Sequence, residues 1–187
     1  MARSKDDPTV TRSFRISARA LKAIEDEAYT HNISVNTILN QQLLAFADFD
    51  RFIRRLGLIK LSSATFQRLL DAAPDKDIAE AARSAGGDTP KSIILTKDGA
   101  FNLQTAISFL QSLSEYANLF EYGEVNSGGK RIITLLHRLG PKGSVFFSNY
   151  VKALFEQLEL FPKISTSDHS VTIEIVPERE MDRNSSF

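Results

Sequence analysis

The chain has 187 residues, with 23 basic and 23 acidic side chains, no cysteine and 13 phenylalanines. That length suits one domain, or a small domain joined to a medium one, and the missing cysteine excludes disulfides and thiolate chemistry. With no signal-peptide pattern and no apolar run near roughly 18 residues, a soluble cytoplasmic protein without membrane contact is expected.

The zero net charge conceals an uneven distribution. Up to Lys22 the basic residues are Arg3, Lys5, Arg12, Arg15, Arg19 and Lys22, against Asp6 and Asp7. Such a local excess attracts polyanions while the whole chain stays neutral. Residues 1–8 are charged, contain Pro8 and are expected to be a flexible basic arm.

Residues 10–16 alternate. Val10, Phe14 and Ile16 share one parity with Arg12, and Thr11, Ser13 and Arg15 share the other. A single strand of this kind is not stable in water. Paired with its copy from a second chain it forms a two-stranded ribbon with an apolar underside. Such a ribbon fits the DNA major groove and presents Thr11, Ser13 and Arg15 to base edges. Ser17 is placed to cap a first helix with the stripe Ala20, Leu21, Ile24 and Ala28. His31 and Asn32 make a turn over Ile33. Ser34 caps a second helix with Val35, Ile38, Leu39, Leu43 and Phe46 at helical spacing. The free amides at the start of that helix suit a phosphate. Two short helices and a strand cannot hide these stripes alone, so an intertwined homodimer is expected.

This order of elements resembles the ribbon-helix-helix DNA-binding family over about a fifth of the chain. The resemblance implies base contacts from Thr11, Ser13 and Arg15. It implies phosphate contacts from Ser34, Val35 and Asn36, which repeat the family's S-V-N at the start of the second helix. Arg12 departs from the pattern, standing where an apolar residue is expected, and no capping box follows Ser17. Arg12 is read as reaching out to a phosphate, and Arg3 and Lys5 of the arm as further phosphate contacts.

Beyond the 9–47 unit, residues 48–100 read as a helical connector. Phe49, Phe52, Ile53 and Leu56 continue an apolar stripe, with Arg51, Arg54 and Arg55 between them. Ser62 or Ser63 caps a helix with Phe66, Leu69 and Leu70. A further helix spans 77–85 and stops at Gly86 and Gly87. Residues 93–95 fit either a helix from Pro90 or a strand fragment.

From 101 to 178 an α-β-β-α-β-β order is expected. Asn102 caps a helix bearing Leu103, Ala106, Ile107, Leu110, Leu113 and Ala117. Strands at 119–125 and 130–137 flank a turn at 126–129. A helix begins at Ser144, with Phe147, Val151, Leu154 and Leu158 inside, and a second hairpin joins 164–167 to 171–176. The class is α+β, with an antiparallel sheet and helices packed on one face. Residues 179–187 are a polar tail.

The chain offers no enzyme signature. His31, His137 and His169 stand at no metal-ligand spacing. His137 shares parity with Ile133 and Leu135 and reads as a hydrogen-bonded histidine near the core. Ser144 lacks the G-x-S-x-G context and reads as a helix cap. Neither a Walker loop nor a dinucleotide fingerprint occurs, so no cofactor is expected. These observations imply a transcriptional regulator, of the repressor kind, that binds double-stranded DNA. Its C-terminal domain would sense a small-molecule or protein effector or build higher oligomers. The alternatives are the antitoxin of a toxin–antitoxin pair and a DNA-binding scaffold.

Overall fold

A computed structural model describes residues 9–54 and 61–176. The chain divides into two units, Met1–Ala45 and Phe46–Phe187.

In the first unit, α1 (Ala18–Thr30) and α2 (Val35–Ala45) form a helical pair. Ser17 caps α1 by accepting from the Ala20 amide at 3.3 Å. The turn closes when Asn32 adopts a left-handed φ of +52°, a conformation asparagine tolerates better than most residues. The Ile33 amide then reaches back to the Ala28 carbonyl at 3.0 Å.

The second unit opens on a π-helical turn, Phe46–Asp50, followed by α3 (Arg51–Ile53). The wider turn departs from the simple continuation of the α2 stripe and delivers Phe49 into the core, against Tyr116 at 5.8 Å between ring centres. Leu56, read as the last residue of this stripe, and Arg55 beside it lie outside the described residues. Three helices follow: α4 (Ser63–Ala72), α5 (Asp75–Gly86) and α6 (Asp88–Asp98). Ser62 caps α4 through the Thr65 amide at 3.2 Å. Residues 93–95 are helical, and Gly99 ends α6 with a φ of +70°.

Helix α7 (Leu103–Ala117) begins with a reciprocal capping box between Asn102 and Thr105. Strands β1 (Glu121–Ser127) and β2 (Lys130–Leu136) then form a hairpin, α8 (Gly140–Glu156) crosses, and β3 (Lys163–Thr166) and β4 (Ser170–Ile175) form a second hairpin. The fold is thus α+β. All pairs in the four-stranded sheet are antiparallel, in the order β1-β2-β4-β3. The first turn is shorter than the expected 126–129. Asn126 and Ser127 remain in the ladder, opposite Arg131 and Lys130, and Gly128 and Gly129 alone turn the chain at φ of +58° and +76°. Two consecutive positive φ values are what a two-residue hairpin requires and what glycine allows.

Ile133, Leu135, Val171, Ile173 and Ile175 point to one side of the sheet and are buried there with Phe109, Leu110 and Leu113 of α7 and Phe147, Val151, Leu154 and Phe155 of α8. Fully burying each of the large side chains contributes about 1.5–3 kcal/mol. The segment expected to be a separate connector enters this same core through Phe49, Leu70, Ile78 and Ile94. Helix α5 lies so close to α8 that a Cβ on Gly86 would fall 2.2 Å from the Tyr150 carbonyl oxygen. Arg83 holds Glu156 in a fork of 2.7 and 3.4 Å, and Lys142 of α8 donates to the carbonyls of Asp71 at 3.0 Å and Ala73 at 2.5 Å. Amphipathic stripes in sequence do not say which core they fill, and here residues 46–54 and 61–100 share one core with the sheet.

Candidate nucleic-acid interface

Thr11, Arg12, Ser13 and Arg15 are all exposed, and residues 9–16 form neither helix nor paired strand in the single chain. Their alternation therefore has no strand partner among the described residues. The apolar parity is equally uncovered: Val10 is 77 %, Phe14 75 % and Ile16 41 % exposed. In the two helices only Ala28 and Ile38 are buried. Ile24, Val35 and Leu39 are half-buried, and Leu43 is 60 % exposed. Phe46, assigned to the same stripe from sequence, falls in the second unit.

Ser34 does cap α2. Its Oγ accepts from the Thr37 amide at 3.0 Å and lies 2.8 Å from Thr37 Oγ1. The amides of Val35 and Asn36, in the first turn, have no carbonyl one turn earlier to bond. They sit at the positive end of the helix dipole, beside the exposed Asn36 side chain. Ser34, Val35 and Asn36 thus form one local group, while Thr11, Arg12, Ser13 and Arg15 lie on the segment that precedes Ser17. Arg3 and Lys5 lie outside the described residues. On α1, Lys22 pairs with Asp26 at 3.2 Å and His31 lies 3.0 Å from Glu27. Both pairs are exposed, and Lys22–Asp26 contributes a few tenths of a kcal/mol, on the order of an ordinary i,i+4 ion pair.

In the second unit the buried polar centre is His137, 3 % exposed, as its shared parity with Ile133 and Leu135 implies. Its Nδ1 accepts from the Leu139 amide at 3.3 Å, so the neutral ring carries its proton on Nε2. That nitrogen donates to Ser144 Oγ at 2.9 Å, and the Ser144 hydroxyl donates onward to the Ser167 carbonyl at 2.5 Å. Burial, and then the neighbouring His169, push the His137 pKa below its usual value. Ser144 is therefore not the helix cap its sequence context indicates. Helix α8 starts earlier, at Gly140, and Ser144 sits buried within it. Donation in this arrangement runs from histidine to serine, the reverse of the direction in which a general base takes a serine proton. A local pattern could not reveal this chain of bonds, because Ser144 and Ser167 are 23 residues apart.

Among the described residues, no group of three or more His, Cys, Asp or Glu side chains is placed to hold a metal ion, and no helix is long and apolar enough to cross a membrane. No protein-family model and no curated protein matches the chain.

Proposed function

We propose that the chain is a sequence-specific DNA-binding transcriptional regulator that acts as a homodimer. Two copies pair their 10–16 segments into a β-ribbon that enters the major groove, with Thr11, Ser13 and Arg15 on base edges. Ser34, Val35 and Asn36 take up phosphate at the α2 N-terminus, with Arg12, Arg3 and Lys5 beside them. The observation that carries this reading is the uncovered apolar set Val10, Phe14, Ile16 and Leu43, next to a helical pair that buries only Ala28 and Ile38. A unit of this size does not hold its fold with so little buried. A second copy supplies the missing cover and the missing strand partner together.

The C-terminal unit is assigned to effector sensing or oligomerisation. Its continuous core around Phe147 and Phe155 favours this over an antitoxin's toxin-wrapping tail. The test is selection of bound sequences from a random DNA pool, followed by gel shifts. A two-fold symmetric consensus is expected from a symmetric dimer. Arg15→Ala should cost about 1–3 kcal/mol on that site and far less on random DNA. Affinity should fall steeply with salt as phosphate contacts release counterions. Equal loss on both DNAs removes base readout by Arg15, and a pool with no consensus favours the scaffold alternative.

A further inference from the structure

The sheet of the second unit ends in two open edges, β1 and β3. Beside β3 runs a groove. Cavities of about 340 Å³ and 260 Å³ follow one another between α8 and β3, sharing Ser148, Asn149 and Thr166. Lys152 and Phe161 line one end; Pro141 and Asp168 line the other. From Pro141 to Lys152 α8 rises about 16 Å, and the four residues of β3 extend about 13 Å, so the groove runs the length of the free edge. Its ends are opposite in charge. Glu156, also in the wall, is held by Arg83 at 2.7 Å, which leaves Lys152 as the charge at the Phe161 end. Asp168 is the charge at the other end. Neither has an ion-pair partner among the described residues.

We propose that the free edge of β3 is an interface with a second copy of this chain, the two β3 strands pairing antiparallel about a two-fold axis into one continuous sheet. The unpaired N–H and C=O groups of an edge strand are a template for such pairing. A groove with opposite charges at its ends complements itself when its copy is turned end for end, because each Lys152 then faces the other copy's Asp168. The same rotation brings Phe161, 71 % exposed, under cover of the partner. Lys163, the charged residue of β3, stands at the start of the strand, so antiparallel pairing keeps the two lysines about 10 Å apart. Edge strand β1 carries Glu121 and Glu124, each set against an arginine, Arg138 at 3.8 Å and Arg131 at 3.0 Å, and serves as the control edge. This surface lies within the second unit and does not rest on the DNA-binding reading.

The absence of cysteine makes the test direct. In the full-length chain, Ser165→Cys supplies a single thiol on β3, and Val125→Cys a single thiol on the opposite edge. A short bis-maleimide should link the first into a dimer and leave the second largely unlinked, which separates this contact from association through the N-terminal unit. In the Ser165→Cys background, Lys152→Glu and Asp168→Lys should each lower the cross-linked yield roughly tenfold, as two symmetry-related attractions become repulsions. Combining them should restore the yield, and circular dichroism verifies that each variant is folded. Cross-linking of Ser165→Cys no greater than that of Val125→Cys overturns the proposal. So does a double variant as poorly linked as the singles.

Discussion

Replacing His137 with phenylalanine keeps a ring against Phe147, whose centre lies 5.1 Å away, and deletes both nitrogens. Ser144 retains the Ser167 carbonyl as an acceptor. The Leu139 amide loses Nδ1 at a residue only 4 % exposed. A buried donor left unsatisfied costs about 1–3 kcal/mol, and that is the expected loss of stability at pH 7.5. Acidification gives the second half of the test. An unfolded histidine takes up its proton near pH 6.5. In the folded chain burial pushes the His137 pKa below that value, and protonating Nδ1 would also turn it into a second donor facing the Leu139 amide. The unfolded state therefore binds more protons as the pH falls. The contribution of His137 to stability is complete above its unfolded pKa and is lost as the pH drops through it towards the folded value. Between pH 7.5 and 5.5 the loss from this one group is at most about 1.4 kcal/mol, the limit in which the folded ring stays neutral. Urea unfolding of wild type and His137→Phe at both pH values gives the difference of differences. That subtraction removes the titrating groups that do not interact with His137. If both proteins lose the same stability on acidification, the assignment of a buried neutral histidine is wrong.

Three further outcomes are expected. Gly86→Ala should destabilise by at least about 1–3 kcal/mol in chemical denaturation, since its Cβ would meet the Tyr150 backbone at 2.2 Å and only separation of α5 from α8 relieves the overlap. A neutral result would mean that the two helices are not in such close contact. Asn102→Ala should cost about 0.5–2 kcal/mol by removing the capping box of α7, and thermal melts that coincide with wild type would discount that cap. Phe14→Glu should abolish N-terminal pairing and specific DNA binding together, read by gel shift on the selected site. Retained affinity would show that the apolar parity of residues 10–16 does not face a partner.

The features legible in the sequence were those with local causes. Gly128 and Gly129 between two alternating runs specify a hairpin because no other residue accepts two successive positive φ values so readily. Asn102 before an apolar helical stripe specifies a helix start because a cap bonds within its own first turn, and the structure adds Thr105 as the reciprocal partner. Ser144 illustrates the converse. After Gly143 it has the appearance of a cap, yet its partners come from the end of β2 and from the β3–β4 turn, and no spacing rule reaches that far. The start of α8 was displaced for a related reason. Gly140 enters with a φ of +67° and Pro141 follows in the first turn, where a missing amide is harmless, so residues that commonly break a helix here begin one. The π-helical turn at Phe46–Asp50 escapes a periodic reading because it departs from the 3.6-residue period.

The two units differ in how far each completes itself. In the second, the apolar residues of the sheet and of α4 to α8 converge on one core, and the alternation of β4 is resolved by burial of Val171, Ile173 and Ile175. In the first, an equally clear alternation finds nothing to rest on, and Val10 and Phe14 remain more exposed than most of the polar groups that a folded protein covers. Exposed apolar parity beside exposed Thr11, Ser13 and Arg15 is not a pattern that stabilises a lone chain. Each large apolar side chain left in water forgoes about 1.5–3 kcal/mol that burial would return, and no element among the described residues of that unit is free to cover them. In the homodimer proposed above, pairing of two copies would recover that energy. It would leave the polar parity facing outward as a continuous row, so the same seven residues would carry both the pairing and the recognition.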